Sequence, residues 1–113
     1  IAMVKVEICK KKEFPKSNRM VINVNTKDVV VFKSGKNFYA INKKCTHTGG
    51  NLGKGFVNGR IVTCPVHGAS FDLETGELLK FDIISQTLFE NVKNATVYEV
   101  KEEAGILYLI DDK

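Results

Sequence analysis

The chain has 113 residues, of which 43% are hydrophobic and 27% are charged. This length suits one compact domain over residues 1–113, and the composition excludes a disordered or collagen-like chain. The longest apolar run, Ile106 to Ile110, is far shorter than the roughly 20 residues that a membrane helix needs. No secretory signal is visible in the first residues, so we expect a soluble protein without a membrane span.

Charge is divided unevenly along the chain, although its net value is only +4. Residues 1–71 contain 13 Lys or Arg against 3 Asp or Glu, whereas residues 72–113 contain 4 against 10. Such a division can steer a charged partner, or it can be an ordinary solvated surface. The densest basic patch, Lys10 to Lys12, is not accompanied by a basic strand rich in aromatic residues. No nucleic-acid partner is therefore expected.

The first apolar segment has the period-two pattern of a half-buried strand. Val4, Val6 and Ile8 alternate with charged residues. This alternation would turn Cys9 to the opposite face, where we expect a free thiol that binds no metal.

Four hairpins are predicted further along the chain, each from two apolar segments around a turn that contains glycine. At Asn58-Gly59 both turn residues are expected to have positive φ. Helical periodicity is weak, and residues 85–94 are either one short helical turn or a loop. The pattern predicts an all-β chain, an antiparallel sandwich or barrel. The predicted turns are Lys33 to Lys36, Asn58-Gly59, Glu74 to Gly76 and Ala104-Gly105.

Four of the five Cys and His residues of the chain fall into two short clusters. The first is Cys45-Thr46-His47 and the second is Cys64-Pro65-Val66-His67, with 16 residues between His47 and Cys64. Each cluster offers one thiolate and one imidazole. We expect the two clusters to meet at a single metal centre.

Several kinds of site compete to explain this pattern. A disulfide between Cys45 and Cys64 would leave both histidines unexplained and the cysteine count odd. Structural zinc accepts two Cys and two His, but zinc fingers usually space them as a Cys pair and a His pair. A Cys–His nucleophile does not explain why the pair occurs twice. A [2Fe–2S] cluster with two Cys on one iron and two His on the other is favoured.

The motifs Cys-Thr-His and Cys-Pro-x-His-Gly resemble those of the Rieske iron–sulfur proteins, in particular the small Rieske-type ferredoxins. The resemblance covers roughly residues 28–110. It implies one [2Fe–2S] cluster per chain, with Cys45 and Cys64 on the inner iron and His47 and His67 on the outer iron.

The resemblance also implies a fold and a function. The fold would be an antiparallel β-sandwich with a small cluster-binding subdomain at about residues 42–72. The function would be that of a one-electron carrier between a reductase and an oxygenase or another acceptor, not an enzyme, since no histidine remains for a mononuclear iron site. The alternatives are an electron-transfer subunit of a larger oxidoreductase and, more remotely, a zinc-stapled binding module. We expect the protein to be a monomer. We also expect it in the cytoplasm, because its cysteine ligands must stay thiolates and that compartment is reducing.

Departures from the family pattern bear on the reduction potential. Gly50 and Val66 stand where respiratory Rieske proteins have a disulfide. Ala69 and Phe71 stand where high-potential members have a serine and a tyrosine that donate to cluster sulfurs, and Ser70 is the alternative donor. Fewer donors stabilise the reduced state less, so we expect a potential toward the lower end of about −150 to +300 mV.

Two surface features complete the sequence-based expectations. The stretch Lys80 to Ile84 is either a cover over the cluster or an ordinary strand. A basic surface formed by Lys43, Lys44, Lys54 and Arg60 would dock an acidic patch on a partner.

Overall fold

The computed structural model describes residues 3–46, 50–66, 68–80 and 93–112. Within these ranges the regular structure is ten β-strands and two 3-10 helices, Lys11–Glu13 and Leu52–Lys54. None of the described helices is long and apolar enough to cross a membrane. The strands are β1 (Met3–Lys10), β2 (Arg19–Val24), β3 (Lys27–Ser34), β4 (Asn37–Asn42), β5 (Phe56–Asn58), β6 (Ile61–Thr63), β7 (Ser70–Asp72), β8 (Leu78–Lys80), β9 (Val97–Glu103) and β10 (Ile106–Asp112).

The strands form two antiparallel sheets, which confirms the predicted all-β sandwich. The large sheet has the order β1-β10-β9-β4-β3-β2, and the small sheet has the order β5-β6-β7-β8. Strand β3 is buried on both faces. Val29 and Val31 belong to one apolar cluster, whereas Val30 and Phe32 belong to a second cluster shared with the small sheet. Its unbroken apolar run reflects this double burial.

The hairpin predicted around Asn58-Gly59 forms, but its turn lies one residue later. Asn58 is paired with Ile61, so the two turn residues are Gly59 and Arg60. Only Gly59 has positive φ, at 61°. The prediction of positive φ at Asn58 is wrong because that residue belongs to the strand. The other three hairpins form with glycine at positive φ in each turn.

Strand β2 was not predicted from the sequence. Its side chains at Met20, Ile22 and Val24 face the apolar cluster in alternation, which is the signal that identifies a strand. A two-residue turn joins β2 to β3, and both turn residues, Asn25 and Thr26, have positive φ of 49° and 68°. This is the backbone geometry that was expected at the other hairpin.

The predicted orientation of Cys9 is wrong because β1 contains a bulge between Glu7 and Cys9. Val6 pairs with Leu109 and Cys9 pairs with Leu107. Both partners are fully buried residues of β10. The extra residue in the bulge therefore returns Cys9 to the face that Val6 occupies. Burial, with a smaller contribution from nearby glutamates, raises the pKa of the Cys9 thiol above its ordinary value.

Two expectations fall on residues that the structure does not describe. The proposed cover extends from Lys80, the last residue of β8, into 81–84, which lies outside the described ranges. The helical turn or loop expected at 85–94 is described only from Lys93 onward, where the backbone is irregular.

Candidate metal centre

Ligand loop 1 is the six-residue segment 45–50. It lies between Lys44 and Asn51, which form an isolated antiparallel bridge. Across the base of the loop, the Cys45 backbone N–H donates to the Gly50 carbonyl at 2.7 Å. The Cys45 side chain, at the start of the loop, is only 1% exposed.

Ligand loop 2 is the six-residue segment 64–69, and it repeats the construction of loop 1. It lies between Thr63 and Ser70, the last paired residues of β6 and β7 at this end of the small sheet. The Cys64 backbone N–H donates to the Ala69 carbonyl, again at 2.7 Å. Each loop is thus closed by a bond between its first N–H and its last carbonyl, and each begins with a cysteine.

Both loop cysteines lie in the apolar cluster between the two sheets. Cys45 and Cys64 are each 1% exposed, and no disulfide joins them. Leu52, Val62 and Phe71 belong to the same cluster and are fully buried. Two cysteines buried in an apolar cluster suit the inner iron of a [2Fe–2S] cluster, whose thiolate ligands are shielded from water.

The histidine half of the predicted ligand set lies outside the described residues, since neither His47 nor His67 is described. Among the residues that are described, no group of three or more His, Cys, Asp or Glu side chains is placed to hold a metal ion. Thr46 and Val66, which precede the two histidines, are both exposed. In the described part of each loop, a buried cysteine is thus followed within two residues by an exposed side chain.

Side-chain hydrogen-bond donors are few among the described residues next to the second loop. Ala69 and Phe71 are fully buried, and neither side chain can donate. The hydroxyl of Ser70 lies 3.0 Å from the Thr63 hydroxyl, so it has a partner within the small sheet. Either hydroxyl can be the donor in this pair, so the low potential expected from the missing donors at Ala69 and Phe71 stays a prediction.

The predicted basic surface is reduced in the structure, because Arg60 is engaged within the chain. Its guanidinium donates to Asp72 at 2.9 Å and to Glu74 at 3.0 Å. Burial opposes ionisation of Asp72, but the backbone N–H groups of Glu74 and Thr75, together with Arg60, hold the pKa of this carboxyl below its usual value. Arg60 also lies at the opposite end of β6 from ligand loop 2, so its part in docking stays a prediction.

The remaining basic residues lie closer to the ligand loops. Lys43 forms an ion pair with Asp28 at 3.3 Å. Lys44 directly precedes loop 1, and Lys54 follows it in the 3-10 helix Leu52–Lys54. In the described part of the chain neither Lys44 nor Lys54 forms an ion pair, so both charges are available to a partner.

Two matching loops that each present a buried cysteine, with Cys-x-His in one and Cys-x-x-His in the other, define an iron–sulfur protein of the Rieske class. The Rieske [2Fe-2S] domain family matches residues 4–99, and the chain belongs to this family. The predictions of a Rieske-type protein and of a [2Fe–2S] cofactor are confirmed.

Relatives of the chain extend this assignment. The ferredoxin component of the naphthalene 1,2-dioxygenase system of Pseudomonas aeruginosa is 31% identical over 99 residues, which are 88% of this chain and 86% of the relative. The 3-phenylpropionate/cinnamic acid dioxygenase ferredoxin subunit of Escherichia coli K12 is 33% identical over 90 residues, 78% of this chain and 77% of the relative. The predicted electron-transfer role is thereby confirmed.

The fold is also found in solved structures. A chain in the complex of reduced oxygenase and oxidized ferredoxin in carbazole 1,9a-dioxygenase superposes with a TM-score of 0.76. The sequence identity is 24%, and the match covers 94% of this chain and 92% of that chain. The arrangement of two antiparallel sheets is thus a fold that this solved structure shares.

Proposed function

We propose that the chain holds one [2Fe–2S] cluster through Cys45, His47, Cys64 and His67 and carries single electrons from a reductase to the oxygenase of a dioxygenase system. The two buried cysteines at the starts of matching ligand loops are the observation that carries this proposal. The relatives named as ferredoxin components of dioxygenase systems support the choice of partners. The carrier would act as a monomer in the cytoplasm, with residues 42–72 as the cluster-binding part of one domain.

The two cysteines and the two histidines would contribute differently to the cluster. Cys45 and Cys64 would bind as thiolates in the apolar cluster, which keeps water from the inner iron. His47 and His67 would bind as neutral imidazoles, which leave less negative charge on the centre than thiolates and so ease the addition of an electron. The bound cluster supplies a one-electron ferric–ferrous couple.

Single alanine substitutions test the ligand set. We expect Cys45→Ala, His47→Ala, Cys64→Ala and His67→Ala each to lose the visible absorption, bound iron and acid-labile sulfide. Cys9→Ala is the matched control, because Cys9 lies on β1 and outside both loops, and we expect it to keep them. Full retention of iron and sulfide by any of the four variants would refute the ligand set. One zinc in place of iron in the wild-type protein would instead favour a metal-stapled binding module.

The charge at the loops bears on partner docking. We expect Lys44→Gln/Lys54→Gln to slow electron transfer to an oxygenase component about threefold at low salt, because steering by exposed charges raises association rates. Lys5→Gln/Lys11→Gln removes the same charge, but these lysines already pair with Glu103 and Glu102. Stopped-flow oxidation of the reduced carrier measures both rates. Equal slowing by the two double variants would refute docking at the loops.

A further inference from the structure

Residues 51–55 follow ligand loop 1 and begin the stretch of chain that leads to ligand loop 2; hydrogen bonds hold them at both ends, and we call them the linker segment. The Leu52 N–H donates to the Lys43 carbonyl at 2.7 Å, and the Leu52 side chain is fully buried. The Gly53 N–H donates to the side chain of Asn51 at 2.8 Å. The linker segment thus continues directly from the base of ligand loop 1.

The far end of the linker segment touches the base of ligand loop 2. A Cβ atom on Gly55 would lie 2.6 Å from the carbonyl oxygen of Thr63, the residue before Cys64. The backbone of Gly55 therefore packs directly on the strand that leads into the second loop. Any displacement of the linker segment changes how the two loops are placed relative to each other.

Arg19, on the edge strand β2, holds this segment from outside both ligand loops. One terminal nitrogen of its guanidinium, Nη1, donates to the Gly53 carbonyl at 3.0 Å and to the Gly55 carbonyl at 2.7 Å. The guanidinium carbon lies 5.0 Å from the centre of the Phe32 ring. Phe32 is fully buried, so the ring gives the cation a rigid support.

The chemistry of arginine suits this arrangement better than that of lysine. The guanidinium is planar, so it can lie over an aromatic ring while its N–H groups point in fixed directions to two carbonyls. A lysine ammonium can donate the same bonds but cannot stack, and its side chain is shorter. The two carbonyls also gain a charged donor at the end of a short 3-10 helix, where backbone acceptors otherwise lack partners.

We propose that Arg19 is a positioning residue for the iron–sulfur centre: its guanidinium, which lies over Phe32, binds the carbonyls of Gly53 and Gly55 and so keeps the two ligand loops in the relative position that retains the cluster. This inference rests on the proposed function, since it needs the loops to bind a cluster. It adds a residue that lies 26 positions before the first ligand cysteine and outside the Cys and His motifs.

Cluster retention in Arg19 variants tests the proposal. Arg19→Met keeps an apolar side chain over Phe32 but removes both hydrogen bonds to the carbonyls. Arg19→Lys keeps the positive charge but cannot stack on the ring. Lys5→Met is the matched control. Lys5 also lies over an aromatic ring, 4.6 Å from the centre of Tyr108, but it pairs with Glu103 on the surface. The three variants and the wild type are purified with cluster and exposed to an iron chelator while the visible absorption is followed.

We expect Arg19→Met to bleach about tenfold faster than wild type, equivalent to about 1.4 kcal/mol. Arg19→Lys should lie between the two, and Lys5→Met should match wild type. The low-temperature EPR spectrum of reduced Arg19→Met should broaden, because the ligand loops vary in position, whereas a change in overall stability alone would not alter the spectrum. Unfolding in denaturant, followed by far-UV circular dichroism, separates the two effects.

Two results would overturn the role of Arg19. The first is that Arg19→Met bleaches within twofold of the wild-type rate. The second is that Lys5→Met also bleaches faster, and that in both variants the increase in bleaching rate follows the loss in the free energy of unfolding. If Arg19→Met does not fold, Arg19→Lys decides the question, since wild-type bleaching and an unchanged EPR line shape in that variant contradict this role. A wild-type protein that takes up no cluster would refute the proposed function instead, so the two failures are distinguishable.

Discussion

Replacing Gly55 by alanine perturbs the contact between the linker segment and ligand loop 2 without changing charge or polarity. Gly55 has φ −76° and ψ 173°, a conformation that alanine adopts freely. Any effect must therefore come from the space that the new methyl group needs. That space is taken by the carbonyl oxygen of Thr63 at 2.6 Å, the carbonyl oxygen of Leu52 at 3.1 Å and a methyl carbon of Val62 at 3.1 Å.

The magnitude follows from these distances. Ordinary contact begins at 3.4 Å, so the Thr63 carbonyl and the new methyl group must separate by about 0.8 Å. Two of the three obstructing atoms belong to the backbone, so a side-chain rotation cannot relieve the clash. Overpacking of this kind costs about 1–3 kcal/mol. The reduced freedom of alanine in the unfolded chain returns about 0.4–1 kcal/mol. The cost of the clash is larger than this gain, so we expect the free energy of unfolding to fall by about 1–2 kcal/mol.

Denaturant unfolding and chelator-driven bleaching, run side by side, check this prediction. Gly35→Ala is the control: Gly35 has φ 62° and no atom within 4 Å of an added methyl group, so the variant suffers backbone strain alone, and its net loss after the gain in the unfolded chain is about 1 kcal/mol. We expect both variants to lose similar stability, but only Gly55→Ala to bleach several-fold faster. Equal bleaching rates in the two variants would refute the link between the linker segment and cluster retention.

Three further predictions concern stability and potential. Thr26→Gly should raise the free energy of unfolding in a urea titration by up to about 1 kcal/mol. Thr26 is β-branched and has φ 68°, and removing this backbone strain stabilises the folded protein by about 1–2 kcal/mol. The greater freedom of glycine in the unfolded chain reduces this gain by about 0.4–1 kcal/mol. A less stable variant would contradict this prediction. Because the pKa of Asp72 is lower in the folded protein than in the unfolded chain, its contribution is complete above about pH 4 and is lost as the pH falls through the folded pKa. The stability gap between wild type and Asp72→Asn should therefore be constant above that pH and narrow below it, and a gap that widens in acid would refute the assignment. Since Ala69 and Phe71 cannot donate to cluster sulfurs, a spectroelectrochemical titration should give a midpoint below about +100 mV, and a higher value would refute the inference from missing donors.

Local patterns were sufficient to predict every described strand except β2, and to predict the site motifs. Alternation in Val4, Val6 and Ile8 and glycine at the turns are read within a few residues of the chain. The same holds for Cys45-Thr46-His47 and Cys64-Pro65-Val66-His67, whose spacing alone suggested a shared metal centre. These features depend on neighbours in sequence, which is why a single sequence reveals them.

Features that depend on pairing between distant segments were missed or placed incorrectly. The bulge that turns Cys9 to the face of Val6 is set by the register of β1 against β10, at the other end of the chain. The ion pairs of Arg60 join the turn between β5 and β6 to Asp72 at the end of β7 and to Glu74 in the turn that follows. The hydrogen bonds of Arg19 join residues 34 and 36 positions apart. No local pattern marks such contacts, because they are decided by how the sheets pack.

The central claim is that a cluster with both thiolate and imidazole ligands is held between ligand loops 1 and 2. Low-temperature EPR of the protein before and after dithionite reduction tests it most directly. We expect no signal when the protein is oxidised and a rhombic signal on reduction, with an average g well below the free-electron value. A reduced spectrum typical of a four-thiolate cluster, or an anaerobically reconstituted protein that remains colourless and EPR-silent, would contradict the account.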